Sequence, residues 1–426
     1  MKRVCAILLA VFCLAAAVAR ADGRAFKEYR IRDSSVVELT EGVTYERYTL
    51  MPIDSKKHSS QRVFLLAVTP AARGKVHLAA YPSADYMYRG TKPLTEILIN
   101  AQQKSKGRIL AGVNADFFDL VVGGSLGVLV REGEWLTAGE FPEGWAAGMT
   151  EDGEPVIGKP KVRMTLALSD GREIPIWALN GLRGDTPKSD TSPQNAREAR
   201  ADNRLVLYTS AFSSVTRTQS GGTEVLIRPE GKLTSAEPLT AVVEQVIVQR
   251  ERGGSAIPDG GMVLSGIRES AAALQALKPG DRVRITLQAD APFDRIRTAA
   301  GGGRPDGGPL LVWQGRPTDL AAAKASVDDG NSFYRMHPRT VMAIFEDGSY
   351  FLMAVEGNRN GSSGLSLVGL QDMLLNLGVY TALNLDGGTS TTMAVLQNGQ
   401  WKAVTDTTGG HGRLCLVGSA LALVTE

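Results

Sequence analysis

The chain consists mainly of short apolar segments that alternate with turn residues. The segments are rich in Val, Ile, Leu and Thr, and Gly, Asp-Gly or Pro-Gly turns separate them, which is the pattern of β-strands joined by tight turns. The clearest candidates are residues 62–68, 75–80, 126–131, 162–168, 205–209, 224–228, 242–249, 282–288, 340–345 and 350–355. Strands are therefore predicted to dominate the fold.

Helical periodicity is confined to three stretches. Two of them are residues 94–104 and 269–276, and the third begins after Ser366, which has the side chain of a good N-cap. Gly378 is expected to end this third helix. Its apolar stripe comprises Leu367, Leu370, Met373, Leu374 and Leu377. The predicted fold class is α+β, a mostly antiparallel or mixed sheet with a few packed helices.

Two shifts in composition suggest domain boundaries. Residues 181–204 are polar, charged and interrupted by proline, and residues 299–309 form a glycine-rich connector. The strand-rich block between them has the character of an inserted module. The predicted division is a leader at 1–21, an N-terminal strand region with the first part of the main domain at 22–160, the insert at 161–298, and the second part of the main domain at 299–426.

The first 21 residues have the three parts of a secretory signal peptide. Lys2 and Arg3 form a basic start, an apolar run extends to Val18, and Ala19-Arg20-Ala21 has the small-x-small form of a cleavage site. We expect cleavage after Ala21 and a secreted or periplasmic product. The apolar run is short for a membrane span, and no later stretch is apolar for long enough, so no transmembrane segment is expected.

Loss of this leader changes both the charge and the cysteine count. The chain has 47 Lys and Arg against 45 Asp and Glu, and three of the basic residues lie in the leader, which leaves 44 against 45 and a formal net charge of −1. That balance argues against nucleic acid as a partner. Cys5 and Cys13 also leave, so Cys415 is alone and an internal disulfide is excluded.

The densest cluster of polar residues follows an apolar strand near the end of the chain. It reads Asn384-Leu385-Asp386-Gly387-Gly388-Thr389-Ser390-Thr391-Thr392-Met393. Adjacent glycines let a ligand approach the backbone closely, and the amide, carboxylate and hydroxyl groups offer it donors and acceptors. The alternative is a tight hairpin turn in which the glycines only supply left-handed conformations. The residues alone fit both interpretations.

A similar cluster follows an earlier strand. Asn114 and Asp116 are two residues apart, so they share one face if the strand continues through them. They can also simply cap a turn. Phe117 and Phe118, which come next, are most simply core residues.

The predicted hairpin of residues 340–355 brings two charged residues together. If Asp347-Gly348 is a two-residue turn, Arg339 lies opposite Glu356. The pair can be a cross-strand ion pair. It can also be an arginine that binds an anion beside a carboxylate that acts on a neighbouring atom. Pro338 holds His337 in an extended conformation at the start of the strand.

Two common catalytic classes lack their signatures. The four histidines show neither HxxxH nor HExxH spacing, which argues against a zinc enzyme. No GxSxG elbow is present, so Ser390 is a poor candidate for a nucleophile.

Several segments together resemble one family, the phosphodiester glycosidases, in their order and spacing. They are Gly112-Val113-Asn114-Ala115-Asp116-Phe117-Phe118-Asp119, Gly127-Val128-Leu129-Val130-Arg131-Glu132-Gly133-Glu134-Trp135, His337-Pro338-Arg339-Thr340, Glu356-Gly357-Asn358-Arg359 and Asn384-Leu385-Asp386-Gly387-Gly388-Thr389-Ser390-Thr391. The resemblance covers residues 108–158 and 301–426. The family includes an enzyme that uncovers mannose 6-phosphate by removing N-acetylglucosamine, and many exported bacterial proteins.

The resemblance implies an exported hydrolase that cleaves a sugar 1-phosphodiester in a glycan, glycolipid or envelope polysaccharide. Because the leaving group departs as a stable phosphate anion, the reaction needs anion binding and a carboxylate more than it needs a strong general acid. The implied catalytic residues are Asp116, Glu356, Asp386, Arg339 and Asn384. The implied substrate-binding residues are Asn114, His337, Arg359, Gly387, Gly388, Thr389, Ser390, Thr391 and Arg413.

Two alternatives remain open at this stage. The same oxygen-rich residues can hold a hard cation such as Ca²⁺, and a non-enzymatic envelope protein that binds glycan can use the same fold.

The chain also departs from the usual family pattern. Glu356 stands where the family commonly has Asp, Thr389 where it has Gly, and Ser419 where it often has Asn. These departures bear on the activity more than on the fold.

Overall fold

The computed structural model describes residues 26–119, 123–139, 144–183, 204–249, 253–301, 309–321, 335–357, 361–406 and 413–426. The predicted signal peptide and most of the predicted loop at 181–204 lie outside the described residues. Within them the chain is mostly β with three α-helices, so helices contribute less than an evenly mixed α+β fold implies.

The strands, in chain order, are β1 (Tyr29–Thr40), β2 (Val43–Pro52), β3 (Gln61–Val68), β4 (Val76–Pro82), β5 (Ile109–Asn114), β6 (Val128–Arg131), β7 (Glu134–Thr137), β8 (Ala146–Thr150), β9 (Pro155–Gly158), β10 (Arg163–Ala167), β11 (Glu173–Ile176), β12 (Ala178–Leu179), β13 (Leu205–Thr209), β14 (Thr223–Pro229), β15 (Leu239–Val248), β16 (Met262–Gly266), β17 (Arg282–Gln288), β18 (Ile296–Gly301), β19 (Leu310–Trp313), β20 (Arg316–Pro317), β21 (Arg339–Ile344), β22 (Tyr350–Val355), β23 (Thr381–Asn384), β24 (Met393–Gln397), β25 (Gln400–Ala403) and β26 (Ser419–Thr425).

These strands form four sheets. Sheet A has the order β1-β2-β3-β22-β21-β23-β19-β20, and sheet D has the order β25-β24-β5-β26-β4. Sheet C has the order β7-β6-β18-β8-β9, and sheet B has the order β11-β10-β17-β15-β14-β16-β13-β12. The pairings are antiparallel except for the short parallel pair of β12 and β13.

Sheet B is made only of strands from the segment predicted as an insert. The neighbouring strands β9 and β18 lie in sheet C, so the chain leaves sheet C for sheet B and then returns. One apolar cluster nevertheless spans both sheets, since Trp135 and Val130 of sheet C pack with Leu207 and Ile285 of sheet B. The two sheets therefore share a core.

The predicted connector at residues 299–309 begins too early. Ala299 and Ala300 belong to β18 and are fully buried, with Ala299 paired to Val130 on one side and Gly148 on the other. Their small side chains allow this central strand to pack closely, so the composition that suggested a loop belongs to a sheet interior.

The three helices lie close to the predicted positions. They are α1 (Leu94–Lys104), α2 (Arg268–Gln275) and α3 (Leu367–Asn376). In α3 the Ser366 hydroxyl accepts from the Gly369 amide at 3.1 Å, the bond expected of an N-cap. Gly378 follows the helix with φ of +79°, a conformation that glycine adopts without strain.

The position of the candidate site follows from how the layers pack. One apolar cluster lies between sheets A, C and D, and it includes Leu352, Val113 and Leu129. Helix α3 covers the other face of sheet A, and α1 covers the other face of sheet D. No helix in the described ranges is long and apolar enough to cross a bilayer.

Candidate active site

The polar clusters predicted from the sequence meet where sheets A and D end side by side. Asn114, at the end of β5, donates from Nδ2 to the carbonyl oxygen of Asp386 at 2.7 Å. Its Oδ1 accepts from the Thr340 hydroxyl and from the Thr392 amide, both at 2.9 Å. Asn114 is fully buried, so it joins the ends of β5, β21 and β23 rather than projecting into solvent.

Asp116 lies just beyond Asn114 and is held by donors on several sides. Its Oδ2 accepts from the Gly127 amide at 2.7 Å and from the Ser125 hydroxyl. Its backbone amide donates to the Ser419 hydroxyl at 3.1 Å. These hydrogen bonds fix the orientation of the Asp116 carboxylate.

Asp386 is the second carboxylate of this cluster. Its amide donates to the carbonyl of Ala115 at 3.1 Å, which places it directly beside Asp116. Burial, together with the negative charge of Asp116, raises the pKa of Asp386 to about 7, although hydrogen bonds from the Ser390 side chain and the Gly387 amide oppose the rise. A buried carboxyl group whose pKa is raised to near neutrality beside a second carboxylate is typical of acid–base chemistry.

The segment around Asp386 is not a hairpin turn. Strand β23 lies in sheet A and β24 lies in sheet D, so the segment between them crosses from one sheet to the other. It includes a single 3₁₀ turn, Gly388–Ser390, in which Gly388 has φ of +61°. The hairpin alternative is wrong, because the strand that follows Asp386 pairs with β5 instead of with β23.

The backbone amides of this turn are used within the protein. Gly388 donates to the Pro338 carbonyl at 2.9 Å, Ser390 donates to the Gly387 carbonyl at 3.2 Å, and Thr391 donates to the Gly388 carbonyl at 3.2 Å. An added Cβ at Gly387 would lie 3.0 Å from the Pro338 oxygen. The two glycines therefore allow the backbone of this turn to pack directly against the backbone of Pro338.

Glu356 follows β22 at the same edge of sheet A and is fully buried. Its Oε2 lies 2.9 Å from Nη1 of Arg62, and its Oε1 accepts from the Asp406 amide at 2.6 Å. Burial raises the pKa of Glu356, while the Asp406 amide and the charge of Arg62 oppose the rise. Because Asp406 follows β25 of sheet D, Glu356 also joins the two sheets.

The predicted pairing of Arg339 with Glu356 is wrong by one residue. Arg339 lies opposite Val355, and Ile344 lies opposite Tyr350. The connection is longer than two residues because the Phe345 amide donates to the Ser349 carbonyl at 2.8 Å and Gly348 has φ of +80°. This is the three-residue loop with a glycine bulge, and the shift turns Arg339 and Glu356 to opposite faces.

The Arg339 side chain is directed to backbone carbonyls. It is 2% exposed, its Nε donates to the Leu365 carbonyl at 2.9 Å, and its Nη2 donates to the Arg335 carbonyl at 2.8 Å. Burial lowers the pKa of Arg339 to about 10. The more accessible guanidinium at this edge belongs to Arg62, whose side chain is 27% exposed.

The remaining predicted residues occupy different positions. His337 pairs through its backbone with Leu365. Asn384 is 1% exposed, and its Nδ2 donates to the carbonyl of Leu385 at 2.9 Å. Thr389 and Arg413 are exposed, and Thr391 is buried. Arg359 lies outside the described residues.

Comparison with known proteins gives a match to one family model. The family model described as phosphodiester glycosidase matches residues 237–423. The resemblance to the phosphodiester glycosidases is confirmed. The match includes Glu356 and the segment around Asp386, and it begins inside the strand-rich part that precedes β18. No curated protein matches the chain.

Solved structures give further likenesses. A hypothetical protein from Synechocystis has 21% identity and a TM-score of 0.68, over 92% of this chain and 64% of that one. The chain thus spans less than two thirds of that protein. A protein from Burkholderia pseudomallei K96243 has 22% identity and a TM-score of 0.61, over 86% of this chain and 74% of that one. These two likenesses show a shared fold.

A third solved structure is the catalytic domain of zebrafish N-acetylglucosamine-1-phosphodiester alpha-N-acetylglucosaminidase, auto-inhibited by its pro-peptide. It has 11% identity and a TM-score of 0.46, over 93% of this chain and 89% of that one. At these values the likeness establishes neither fold nor function.

Two residues at this candidate site carried no signal in the sequence. Arg62 is the second residue of β3, an ordinary strand, and Ser125 is a single hydroxyl among small or apolar residues. Ser419 stood out only as a departure from the family pattern. Among the described residues, no group of three or more His, Cys, Asp or Glu side chains is arranged to hold a metal ion.

Proposed function

We propose that this protein is an exported hydrolase that cleaves a sugar 1-phosphodiester in a glycan, glycolipid or envelope polysaccharide. The observation that carries the proposal is the pair of carboxylates at the junction of sheets A and D, in which the pKa of Asp386 is raised to about 7 beside Asp116. The family match supports a hydrolase of the phosphodiester glycosidase type.

The two carboxylates suit different roles in this reaction. Hydrolysis breaks the bond between the anomeric carbon and the phosphate oxygen, and a water oxygen bonds to that carbon. Asp386, with a pKa near neutrality, accepts the proton that this water loses. Asp116, fixed by Ser125 and Gly127, stabilises the positive charge that develops on the sugar.

The departing phosphate leaves as an anion and needs a cation at the site. Arg62 suits this task, because its guanidinium is partly exposed while its other contact holds Glu356 in place. Glu356 then acts mainly by positioning Arg62.

The segment at 1–21 supports export, since it has the form of a cleavable signal peptide.

The test is hydrolysis of a panel of sugar 1-phosphate methyl diesters, and the release of reducing sugar is the measured quantity. Asp386→Asn should lower turnover by about 10²- to 10⁴-fold with little loss of binding, the usual effect of removing a general base. Asp347→Asn is the matched control, because Asp347 accepts from the Ser349 amide in a hairpin turn far from the site. Its turnover per folded molecule should equal that of the wild type.

Two outcomes would contradict the proposal. A folded Asp386→Asn protein with wild-type turnover would exclude the catalytic assignment. A wild type that binds the diesters but cleaves none of them would favour the alternative of a glycan-binding envelope protein.

A further inference from the structure

Two exposed arginines outside the carboxylate cluster share one tyrosine ring. The guanidinium carbon of Arg89 lies 5.7 Å from the centroid of the Tyr88 ring, and that of Arg217 lies 5.1 Å from it. In the part of the chain that the structure describes, neither arginine forms an ion pair with a carboxylate. Both guanidinium groups are exposed and contact the same ring, so they add two positive charges to one patch of the surface, which attracts anions.

Both arginines also have an unfavourable backbone conformation. Arg89 has φ of +55° and Arg217 has φ of +57°, a region that glycine adopts more readily than any residue with a Cβ. Other non-glycine residues of this protein share that conformation, but these two meet on a single ring. Strain of this kind is often retained where a side chain must point in a particular direction for function.

The segment that carries Arg217 is anchored to a buried carboxylate of β14. The hydroxyls of its neighbours Thr216 and Thr218 donate to the carboxylate of Glu224 at 3.1 and 2.9 Å. Glu224 is fully buried in β14 and also accepts from the Ser255 amide at 2.9 Å. Two inward-facing threonines therefore fix the segment and present Arg217 on its outer side, which lowers the entropy cost of binding a ligand.

The segment that carries Arg89 is fixed against the same part of the protein. The amides of Met87 and Tyr88 donate to the carbonyls of Ala211 and Phe212, both at 2.9 Å. The rings of Tyr88 and Phe212 also pack edge to face, with centroids 5.6 Å apart. The two arginines thus come from separate parts of the chain and are brought together by backbone hydrogen bonds.

This arginine pair lies beside the loop that holds Asp116. A Cβ built at Gly123 would lie 3.1 Å from the Arg89 amide nitrogen, so the two backbones touch. Ser125, which donates to Asp116, is two residues further along, at most about 7 Å of extended chain. A substrate that reaches Asp116 can therefore extend toward Arg89.

We propose that Tyr88, Arg89 and Arg217 form a subsite for a second phosphate on the substrate, next to the diester that is cleaved. The inference rests on the proposed function and makes it more specific: the substrate is a chain with more than one phosphate group. The segment between β13 and β14 then has a defined task, since it supplies Arg217.

The test compares two substrates that differ only in charge. One is a sugar 1-phosphodiester with a neutral alcohol, and the other carries a second phosphate on that alcohol. Arg89→Ala and Arg217→Ala should each raise KM for the doubly charged substrate about tenfold, as expected for loss of charge-assisted hydrogen bonds at an exposed site. The kcat, and KM for the singly charged substrate, should not change.

Three control variants separate binding from folding. Arg284→Ala removes an exposed arginine of β17 and should leave both KM values unchanged. Arg217→Gly relieves the strained backbone, so its melting temperature should equal or exceed that of the wild type while its KM for the doubly charged substrate still rises. Arg217→Lys keeps the charge and should recover part of the binding.

Calorimetric titration of the same two compounds measures binding separately from cleavage, so it distinguishes failure of the subsite from failure of the proposed hydrolase. If the wild type cleaves neither compound but its preference for the doubly charged one depends on both arginines, the hydrolase assignment fails and the subsite stands. If it cleaves both compounds and neither arginine affects binding, the subsite is overturned and the hydrolase assignment stands.

Discussion

Asn114 and Asp386 are 272 residues apart in the chain, and the Asn114 side-chain amide donates to the Asp386 carbonyl at 2.7 Å. The same side chain accepts from Thr340 and Thr392. One buried residue therefore sets the position of a candidate catalytic carboxylate against both sheets.

Asn114→Ala should lower the free energy of unfolding by about 3 kcal/mol, because it leaves buried backbone groups of Asp386 and Thr392 without this partner. Urea denaturation measures the loss. Gln400→Ala, at an exposed position of β25, should change the stability by less than about 0.5 kcal/mol. Equal stability of the two variants would show that Asn114 does not connect the sheets energetically.

Asp386→Asn should make the protein more stable at pH 8 while it removes activity. The folded pKa of Asp386, about 7, is above the ordinary value of 3.8. The folded state therefore binds this proton more tightly than the unfolded state does, and wild-type stability falls as the pH rises from about 4 to about 7. The neutral amide avoids that loss, which amounts to up to about 4 kcal/mol.

Thermal melting of both proteins between pH 4 and pH 8 checks this expectation. The two melting temperatures should agree most closely at pH 4 and diverge as the pH rises, with the variant higher. A difference that does not depend on pH would contradict the raised pKa of Asp386.

Arg62→Met should destabilise the protein more at pH 8 than at pH 4. The charge of Arg62 opposes the rise in the pKa of the buried Glu356, so its removal raises that pKa further. A carboxyl group with a raised folded pKa contributes its stability at low pH and loses it as the pH increases. The deficit of the variant should therefore grow with pH.

Arg47→Met provides the comparison for Arg62, since Arg47 pairs with Asp33 at the surface, where both side chains are largely exposed. Exposed pairs of this kind contribute about 0–1 kcal/mol. A pH-independent deficit in Arg62→Met, similar to that of Arg47→Met, would mean that Arg62 does not control the ionisation of Glu356.

Gly364→Ala should be much more destabilising than Gly361→Ala in the same loop. Both glycines have positive φ, +77° and +84°. A Cβ at Gly364 would lie 2.3 Å from the His337 carbonyl oxygen, whereas a Cβ at Gly361 has no atom within 4 Å. Both variants carry the backbone strain, about 1 kcal/mol or more, so the difference in their unfolding free energies isolates the clash. Similar losses would contradict the close approach of these backbones.

The sequence was informative where local physics determines the structure. Ser366, the apolar stripe after it and Gly378 marked both ends of α3, because capping and periodicity involve neighbouring residues. The polar residues after β5 and β23 also pointed to Asp116 and Asp386 as neighbours, and the structure places these two residues side by side.

Long-range pairing could not be predicted in the same way. Arg62 contacts Glu356 only because β3 and β22 are neighbours in sheet A, and nothing near Arg62 in the sequence indicates that. The register of the β21–β22 hairpin depended on one additional loop residue, and this changed the face on which Arg339 lies. The crossing of the chain from β23 to β24 likewise depends on the pairing of β24 with β5, in which Met393 lies opposite Val113, a residue far earlier in the sequence.

Strand β26 lies between β4 and β5 in sheet D and pairs with both. During synthesis, β4 and β5 therefore leave the ribosome long before the strand that separates them exists. Sheet D cannot close until residues 419–425 have emerged, and the Ser419 hydroxyl that accepts from the Asp116 amide arrives with them. Assembly of the carboxylate cluster is thus a late step of folding, and a nascent chain that has not yet exposed β26 cannot hold Asp116 through Ser419.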